Sequence, residues 1–195
     1  MIQAQCAEAM PQHTFELKII KTTGDKLQTA SLANPDKSLP KGLFTKELEV
    51  ALLDGTIDLA VHSLKDLPTE LPDGLMLGGV TEREDVRDVL VYRTGGEKIT
   101  EIVEIPAEVT IGTSSTRRAS QLLEQRSDIK VTEIRGNVGT RLRKVAENEN
   151  LFGTLLAAAG LRRLGYSFGP NQELQGEGVP DGICAVPLDI GEMIP

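Results

Sequence analysis

The feature that most constrains this fold is the stretch at residues 58–68, where a short apolar run leads into a compact polar cluster. The run predicts a buried strand that stops before Pro68, because proline cannot donate to a sheet ladder. The strand end then carries Ser63, Lys65 and Asp66, at the edge where ligands bind in open α/β sheets. A carboxylate beside an ammonium there is either a surface ion pair or the centre of a site, and this stretch alone favours neither interpretation.

The composition excludes several classes of protein. The chain has 195 residues and a net charge of −8, which argues against a general nucleic-acid binder. The sequence has neither an apolar run of membrane-spanning length nor a signal-peptide pattern. Its two cysteines, Cys6 and Cys184, do not make a disulfide framework, and no metal-ligand spacing occurs. We expect a monomer without metal, membrane or nucleic-acid partners, in the cytoplasm or, if a transit peptide is missing, in an organelle.

Hydrophobic periodicity predicts alternating strands and helices. Strands are predicted at residues 15–21, 58–66, 75–80, 86–92, 109–111, 129–134, 154–159 and 183–186. Helices are predicted at residues 41–54, at 116–126 and, after the turn at 135–141, up to about residue 147, with loops at 26–40 and 168–180. The alternation falls into two halves and predicts an α/β protein of two small domains with a ligand cleft between them. Domain 1 would comprise residues 1–86 plus 183–195, and domain 2 residues 87–182.

Positive charge is concentrated in the second half of the chain. Residues 117–144 contain eight basic side chains against three acidic ones, a formal charge of +5 within an acidic protein. Such a segment is either a solvated basic face or a pocket for a small polyanion, and its position in predicted turns favours the pocket.

Two predicted strand-to-helix turns carry much of this charge. The first places Arg117 and Arg118 in the opening turn of a helix, where their positive charges oppose the helix dipole. A bound anion would explain this locally unfavourable arrangement. The second runs from Arg135 through a glycine-containing turn to Arg141. Successive parallel strands bring such turns to one edge of a sheet. Since guanidinium groups bind carboxylates bidentately, a cleft between Asp66 and these arginines suits a small molecule with several carboxylates.

Six segments of the chain, in this order, resemble the porphobilinogen deaminase (hydroxymethylbilane synthase) family. They lie at residues 41–49, 61–68, 82–88, 112–118, 135–141 and 158–161. The resemblance implies an enzyme of tetrapyrrole (porphyrin and heme) biosynthesis that joins four porphobilinogens head to tail with release of ammonia. It also implies a dipyrromethane cofactor held on a cysteine through a thioether, and two periplasmic-binding-protein-like domains of type II.

The resemblance also assigns roles to individual residues. Asp66 would be the catalytic carboxylate, which suits a reaction in which loss of ammonia creates positive charge. Family positions that contact the cofactor match Ser63, Lys65, Thr113, Ser114, Ser115, Arg117, Arg118 and Gly136. Family positions that bind the substrate or growing product match Lys41, Lys46, Arg135, Arg141 and Arg163. For Lys41 and Lys46, simple solvent exposure is the alternative interpretation.

The sequence departs from the family pattern at both ends. Against the family pattern, we expect the family's opening strand and its third domain, which carries the cofactor cysteine, to be missing from this chain. Neither Cys6 nor Cys184 matches the attachment position, so we expect an exposed first sheet edge and a truncated, inactive chain. The alternative is a non-catalytic two-domain module that binds a carboxylated small molecule. A solute-receptor-like protein is disfavoured because no export signal is present.

Overall fold

The computed structural model describes residues 1–26, 45–96 and 98–195, which form two units, Met1–Thr81 and Glu82–Pro195. Lys41 and nearly all of the loop predicted at residues 26–40 lie outside the described residues. The helix predicted at 41–54 is described only from residue 45 onward.

The described part of the first unit contains helices but no strand. Its elements are α1 (Ile2–Ala9), α2 (Thr23–Lys26), α3 (Lys46–Leu53) and a 3-10 turn at Leu64–Asp66. Helix α3 confirms the predicted helix in its described part and buries Ala51. It ends before Gly55, whose φ of +67° terminates the helix in the left-handed conformation that glycine adopts without strain.

Three strands predicted in the first unit do not form among its described residues. The segments at 15–21, 58–63 and 75–80 have no ladder partner, and residues 64–66 form the 3-10 turn instead. Most of their apolar side chains are exposed, up to 83% for Ile19 and 82% for Met76. The strand prediction was wrong here because alternation identifies an apolar face but not a neighbouring strand to pair with.

The second unit is a mixed α/β domain around a five-stranded sheet. The strands are β1 (Asp88–Arg93), β2 (Thr110–Gly112), β3 (Lys130–Thr132), β4 (Gly153–Ala157) and β7 (Ile183–Pro187). Their order across the sheet is β3-β2-β4-β1-β7. Strand β2 is parallel to both β3 and β4, whereas β1 is antiparallel to both β4 and β7. A two-stranded hairpin of β5 (Ser167–Phe168) and β6 (Leu174–Gln175) lies within the segment predicted to be a loop.

Helices cover both faces of this sheet. They are α4 (Thr116–Gln125), α5 (Val138–Glu147) and α6 (Ala158–Arg163), and a 3-10 turn lies at Ile102–Glu104. Because side chains alternate along β1, Val89 and Val91 pack with the apolar residues of α5 and α6, while Leu90 and Tyr92 pack on the side of α4. The helices therefore form two layers around a buried central strand, and every residue of β1 but Arg93 is buried.

The last residues of the chain belong to the second unit. Strand β7 pairs with β1, and Leu188 and Met193 are fully buried. The sequence prediction assigned residues 183–195 to domain 1, whereas here backbone pairing and apolar burial hold them to the sheet of the second unit.

Candidate anion-binding site

One edge of the second unit's sheet collects the turns that the sequence singles out. Strands β2, β3 and β4 are parallel neighbours, so their carboxyl ends and the helix starts that follow them share this edge. Strand β1 runs the other way and begins here, with Asp88 opposite Ala157. We call this place the basic edge, defined by residues 113–118, 135–141 and Asp88.

The turn after β2 is fixed by its hydroxyl side chains. Ser115 caps α4 by accepting from the backbone N–H of Arg118 at 3.4 Å, and Thr113 Oγ1 accepts from the N–H of Ser115 at 3.2 Å. Ser114 Oγ donates to the carbonyl of Ile134 at 2.7 Å and so ties this turn to the one after β3. All three hydroxyl groups are therefore engaged in shaping the basic edge.

The turn after β3 depends on a glycine and a cap. Gly136 has a φ of +114°, and a Cβ there would lie 2.6 Å from Thr140 Cγ2. Asn137 Oδ1 accepts from the N–H of Thr140 at 2.9 Å and begins α5. One turn later, Arg141 Nε donates to the carbonyl of Gly136 at 2.9 Å. The glycine conformation thus helps to set the position of the Arg141 side chain.

A buried carboxylate holds the two arginines of α4. Asp88 Oδ1 accepts from Arg118 Nε at 3.0 Å and from its Nη2 at 2.8 Å, while Oδ2 accepts from Arg117 Nη2 at 2.8 Å. Arg118 Nη1 also donates to the carbonyl of Leu155 at 3.1 Å, and Arg117 Nη1 donates to the carbonyl of Ile194. The guanidinium groups of Arg117 and Arg118 therefore share one carboxylate, and Arg141 lies near enough to Arg118 for their positive charges to interact.

Arg141 is the least compensated of these cations. Its guanidinium is half-buried, and within the described residues it makes no ion pair. Burial, and secondly the positive charge of Arg118, hold the pKa of Arg141 below its usual value. A partly desolvated cation beside another cation is unfavourable by itself, so the arrangement favours a bound anion.

Two further arginines predicted to bind the substrate make other ion pairs or electrostatic contacts. Arg135 forms an ion pair with Glu133, with 2.6 Å between Nη2 and Oε1. Arg163 is exposed at the end of α6, where its charge acts on Glu84. The neighbouring Arg162 pairs with Glu84 and Asp85.

The predicted catalytic group lies in the first unit. Asp66 closes the 3-10 turn that also contains Lys65, and its backbone N–H donates to the carbonyl of Ser63 at 2.9 Å. All three side chains are exposed, and Asp66 makes no side-chain contact within the described residues. Lys46, the first residue of α3, is exposed as well.

Sequence reasoning missed Asp88 as a site residue. The available signal is a charged residue at the head of a buried apolar run, which is rare unless the charge is paired. Its partners lie 29 and 30 residues further along the chain, and only the antiparallel insertion of β1 beside β4 brings them together.

A cavity of about 620 Å³ lies at the opposite edge of the sheet, lined by Tyr92, Lys98 and Cys184 among others.

Metal-ligand clusters and membrane-spanning helices are both absent from the described residues. These residues contain no group of three or more His, Cys, Asp or Glu side chains that could hold a metal ion. None of their helices is long and apolar enough to cross a membrane.

The fold and the basic edge define an α/β domain with a cluster of guanidinium groups at one edge of its sheet. Residues 1–184 match the family model described as porphobilinogen deaminase, dipyromethane cofactor binding domain. The chain is 51% identical over 158 residues to the porphobilinogen deaminase of Alkaliphilus metalliredigens, covering 81% of this chain and 48% of the relative. It is 50% identical to the porphobilinogen deaminase of Lachnospira eligens, covering 85% of this chain and 54% of the relative. It is 48% identical to that of Pelotomaculum thermopropionicum, covering 91% of this chain and 53% of the relative. The chain belongs to the porphobilinogen deaminase family.

The chain spans about half the length of the curated relatives it matches. The family's dipyrromethane cofactor is a polycarboxylate, and the donor set of the basic edge fits such a group because Arg141 has no carboxylate partner among the described residues. The two cysteines of the sequence offer no recognisable attachment position, so the fit concerns carboxylate binding and not the covalent bond.

Proposed function

We propose that this chain carries the substrate-binding and cofactor-binding half of a hydroxymethylbilane synthase, the enzyme that condenses four porphobilinogens with loss of ammonia. The observation that carries the proposal is the half-buried, uncompensated Arg141 beside the Arg117–Asp88–Arg118 cluster. Family membership supports the choice of porphobilinogen, whose acetate and propionate groups supply the carboxylates that such a cluster lacks.

Each group has a role that its chemistry supports. Arg117, Arg118 and Arg141 would hold carboxylates of the substrate or of dipyrromethane, and Thr113, Ser114, Ser115 and Gly136 would shape the turns that carry them. When bound, dipyrromethane supplies the pyrrole terminus to which new units are added. Lys65 and Ser63 would contact the cofactor. The growing product would be contacted by Arg135, Arg163, Lys41 and Lys46.

Asp66 is proposed as the catalytic carboxylate. Loss of ammonia from porphobilinogen leaves positive charge on the pyrrole, which an ionised carboxylate stabilises. The same group can accept the proton released when two rings join. The exposed position of Asp66, without a side-chain partner among the described residues, leaves it available for substrate. This role requires the two units to act as periplasmic-binding-protein-like domains around one cleft, which is part of the proposal.

The test uses the purified 195-residue chain with porphobilinogen. We expect saturable binding by calorimetry, weakened in Arg141→Leu. Ammonia release and hydroxymethylbilane formation are measured in parallel, with Asp66→Ala beside Asp73→Ala, a change at an exposed aspartate of the same unit. Turnover abolished by Asp66→Ala alone would support the catalytic assignment, and a covalent mass shift on Cys6 or Cys184 would identify an attachment site.

The outcomes separate the two functions considered. Binding without turnover would mean that this chain is at most a binder of carboxylated small molecules. No binding to a folded chain would contradict both. We also expect a monomer acting in the cytoplasm, and sedimentation analysis of the same sample checks the monomer.

A further inference from the structure

We propose that Asp88 is a positioning residue that directs the guanidinium groups of Arg117 and Arg118 toward the carboxylates of the ligand. The inference rests on the proposed function and extends it to a residue that never touches the substrate. Its basis is the three hydrogen bonds of 2.8 to 3.0 Å that join one carboxylate to two neighbouring arginines.

The environment of Asp88 makes it a fixed support. Its side chain is 2% exposed, compared with 14% for Arg118 and 37% for Arg117. Its backbone is held on both sides, since it pairs with Ala157 of β4 and its carbonyl accepts from the N–H of Leu188 at 2.9 Å. The carboxylate is therefore fixed in the sheet. The two arginines reach it from the start of α4, and both of their side chains are more exposed than that of Asp88.

The two arginines are held in different ways. Arg118 donates to Asp88 through Nε and Nη2 and to the carbonyl of Leu155 through Nη1, so its guanidinium plane is fixed at three points. Arg117 uses only Nη2 and Nη1, and its Nε makes no hydrogen bond within the described residues. Arg117 is thus steered by Asp88 while it keeps donors for a ligand.

Simple charge balance does not account for this arrangement. One arginine would neutralise a buried carboxylate, yet Asp88 engages two while Arg141 lies near Arg118 without a carboxylate partner among the described residues. Asp88 lowers the positive potential of the edge, which by itself weakens anion binding. A carboxylate at this position benefits binding only if it improves the geometry of the donors, as preorganisation requires.

This opposition gives a discriminating experiment. Asp88→Asn keeps the size of the side chain and removes the charge. If Asp88 positions the arginines, the variant should bind porphobilinogen at least about tenfold more weakly, because the two guanidinium groups are no longer held in the geometry that meets the ligand carboxylates. Sulfate, a compact anion with little demand on geometry, should bind equally well or more tightly, because the edge becomes more positive.

The matched control is Asp128→Asn. Asp128 also binds an arginine through both oxygens, at 2.9 Å to Arg126 Nε and 2.7 Å to its Nη2, but it precedes β3 and so lies at the other end of the sheet. This variant should lose stability without changing the ratio of porphobilinogen affinity to sulfate affinity. Equal changes in both affinities in Asp88→Asn, or a similar shift of the ratio in Asp128→Asn, would overturn the inference.

A second measurement keeps the inference testable if Asp88→Asn does not fold. In the unmodified chain, nitrogen-edited spectra report proton exchange at each arginine Nε–H. Arg118 Nε–H should exchange at least about tenfold more slowly than that of the exposed Arg143, because it is hydrogen-bonded to a buried carboxylate. Exchange as fast as at Arg143 would contradict a fixed guanidinium.

The two proposals fail separately. If the unmodified chain folds but does not bind porphobilinogen, the proposed function fails, and Nε–H exchange alone decides whether Asp88 fixes Arg118. If porphobilinogen binds but the affinity ratio does not move in Asp88→Asn, the proposed function stands and the positioning role is rejected.

Discussion

At the scale of single residues, substitution of Arg141 should affect ligand affinity and protein stability in different ways. Arg141→Leu should weaken porphobilinogen binding by roughly 1.5–3 kcal/mol, the usual contribution of a charge-assisted hydrogen bond. The same change should leave the unfolding temperature unchanged or raised, because it removes a desolvated cation whose pKa is lowered by burial and by Arg118. Calorimetric binding and thermal unfolding are measured beside Arg143→Leu, an exposed residue of the same helix. A destabilised Arg141→Leu with unchanged affinity would indicate a structural arginine.

Gly136 gives a second prediction at the residue scale. Gly136→Ala should destabilise the chain by about 1–3 kcal/mol, because φ is +114° and the new Cβ would lie 2.6 Å from Thr140 Cγ2. Gly139→Ala, three positions later in α5, should stabilise by about 0.5–1 kcal/mol, since the nearest atom is 3.8 Å away and alanine favours helix. Urea unfolding of both variants checks the opposite signs. The same sign for both would mean that the backbone of this turn relaxes.

At the scale of elements, ion pairs join residues 84–87, which precede β1, to Arg162 of α6, and we call this set of ion pairs the clamp. Asp85 accepts from Arg87 Nε and Nη2 and lies 3.3 Å from Arg162 Nη2, and Arg162 also pairs with Glu84. The hydrogen bond from Arg87 is the main cause that lowers the pKa of Asp85 from 3.8 to about 2. Because the folded pKa lies below the ordinary one, this carboxylate stabilises the fold above about pH 4 and loses its contribution as the pH falls toward 2.

The clamp therefore predicts a pH dependence. Between pH 4 and 2, the unfolding free energy of Asp85→Asn should fall less steeply than that of the unmodified chain, and above pH 4 the variant should be the less stable of the two. Urea titrations across this range provide the measurement. Asp181→Asn, at an exposed aspartate of the same unit, should keep the original slope. An unchanged slope in Asp85→Asn would show that the clamp does not contribute to acid stability.

The main strands and the two longer helices of the second unit were predictable because their signals are local, whereas the β5–β6 hairpin was not predicted. The predicted helix at 116–126 and strand at 109–111 differ from α4 and β2 by a residue, since caps and turns mark their ends. The sequence predicted that the two basic turns lie at one edge of the sheet, because they follow successive parallel strands. The parallel pairing of β2 with β3 confirms this. The partnership of Asp88 with Arg117 was not predictable, because it depends on a β1–β4 register that no local pattern encodes.

At the scale of the whole chain, the two units differ in what holds them together. All strands of the described residues lie in the second unit, and so do all of the buried apolar residues except Ala51. The three predicted strands of the first unit failed for one physical reason. A strand needs a neighbour to satisfy its backbone groups, and a sequence shows the apolar face without showing that neighbour.

This contrast predicts the pattern of amide hydrogen exchange in the full chain. Peptides from β1, β4 and β7 should exchange only on global unfolding of the second unit, because their amides are paired within a buried sheet. Peptides at residues 57–63 and 75–80 should exchange within the first time points, since few of their amides are hydrogen-bonded in the described structure. Mass spectrometry of exchanged, digested protein resolves both classes. If the first-unit peptides were as protected as β1, those segments would be paired strands in solution, and a sheet would position Asp66 as the sequence originally suggested.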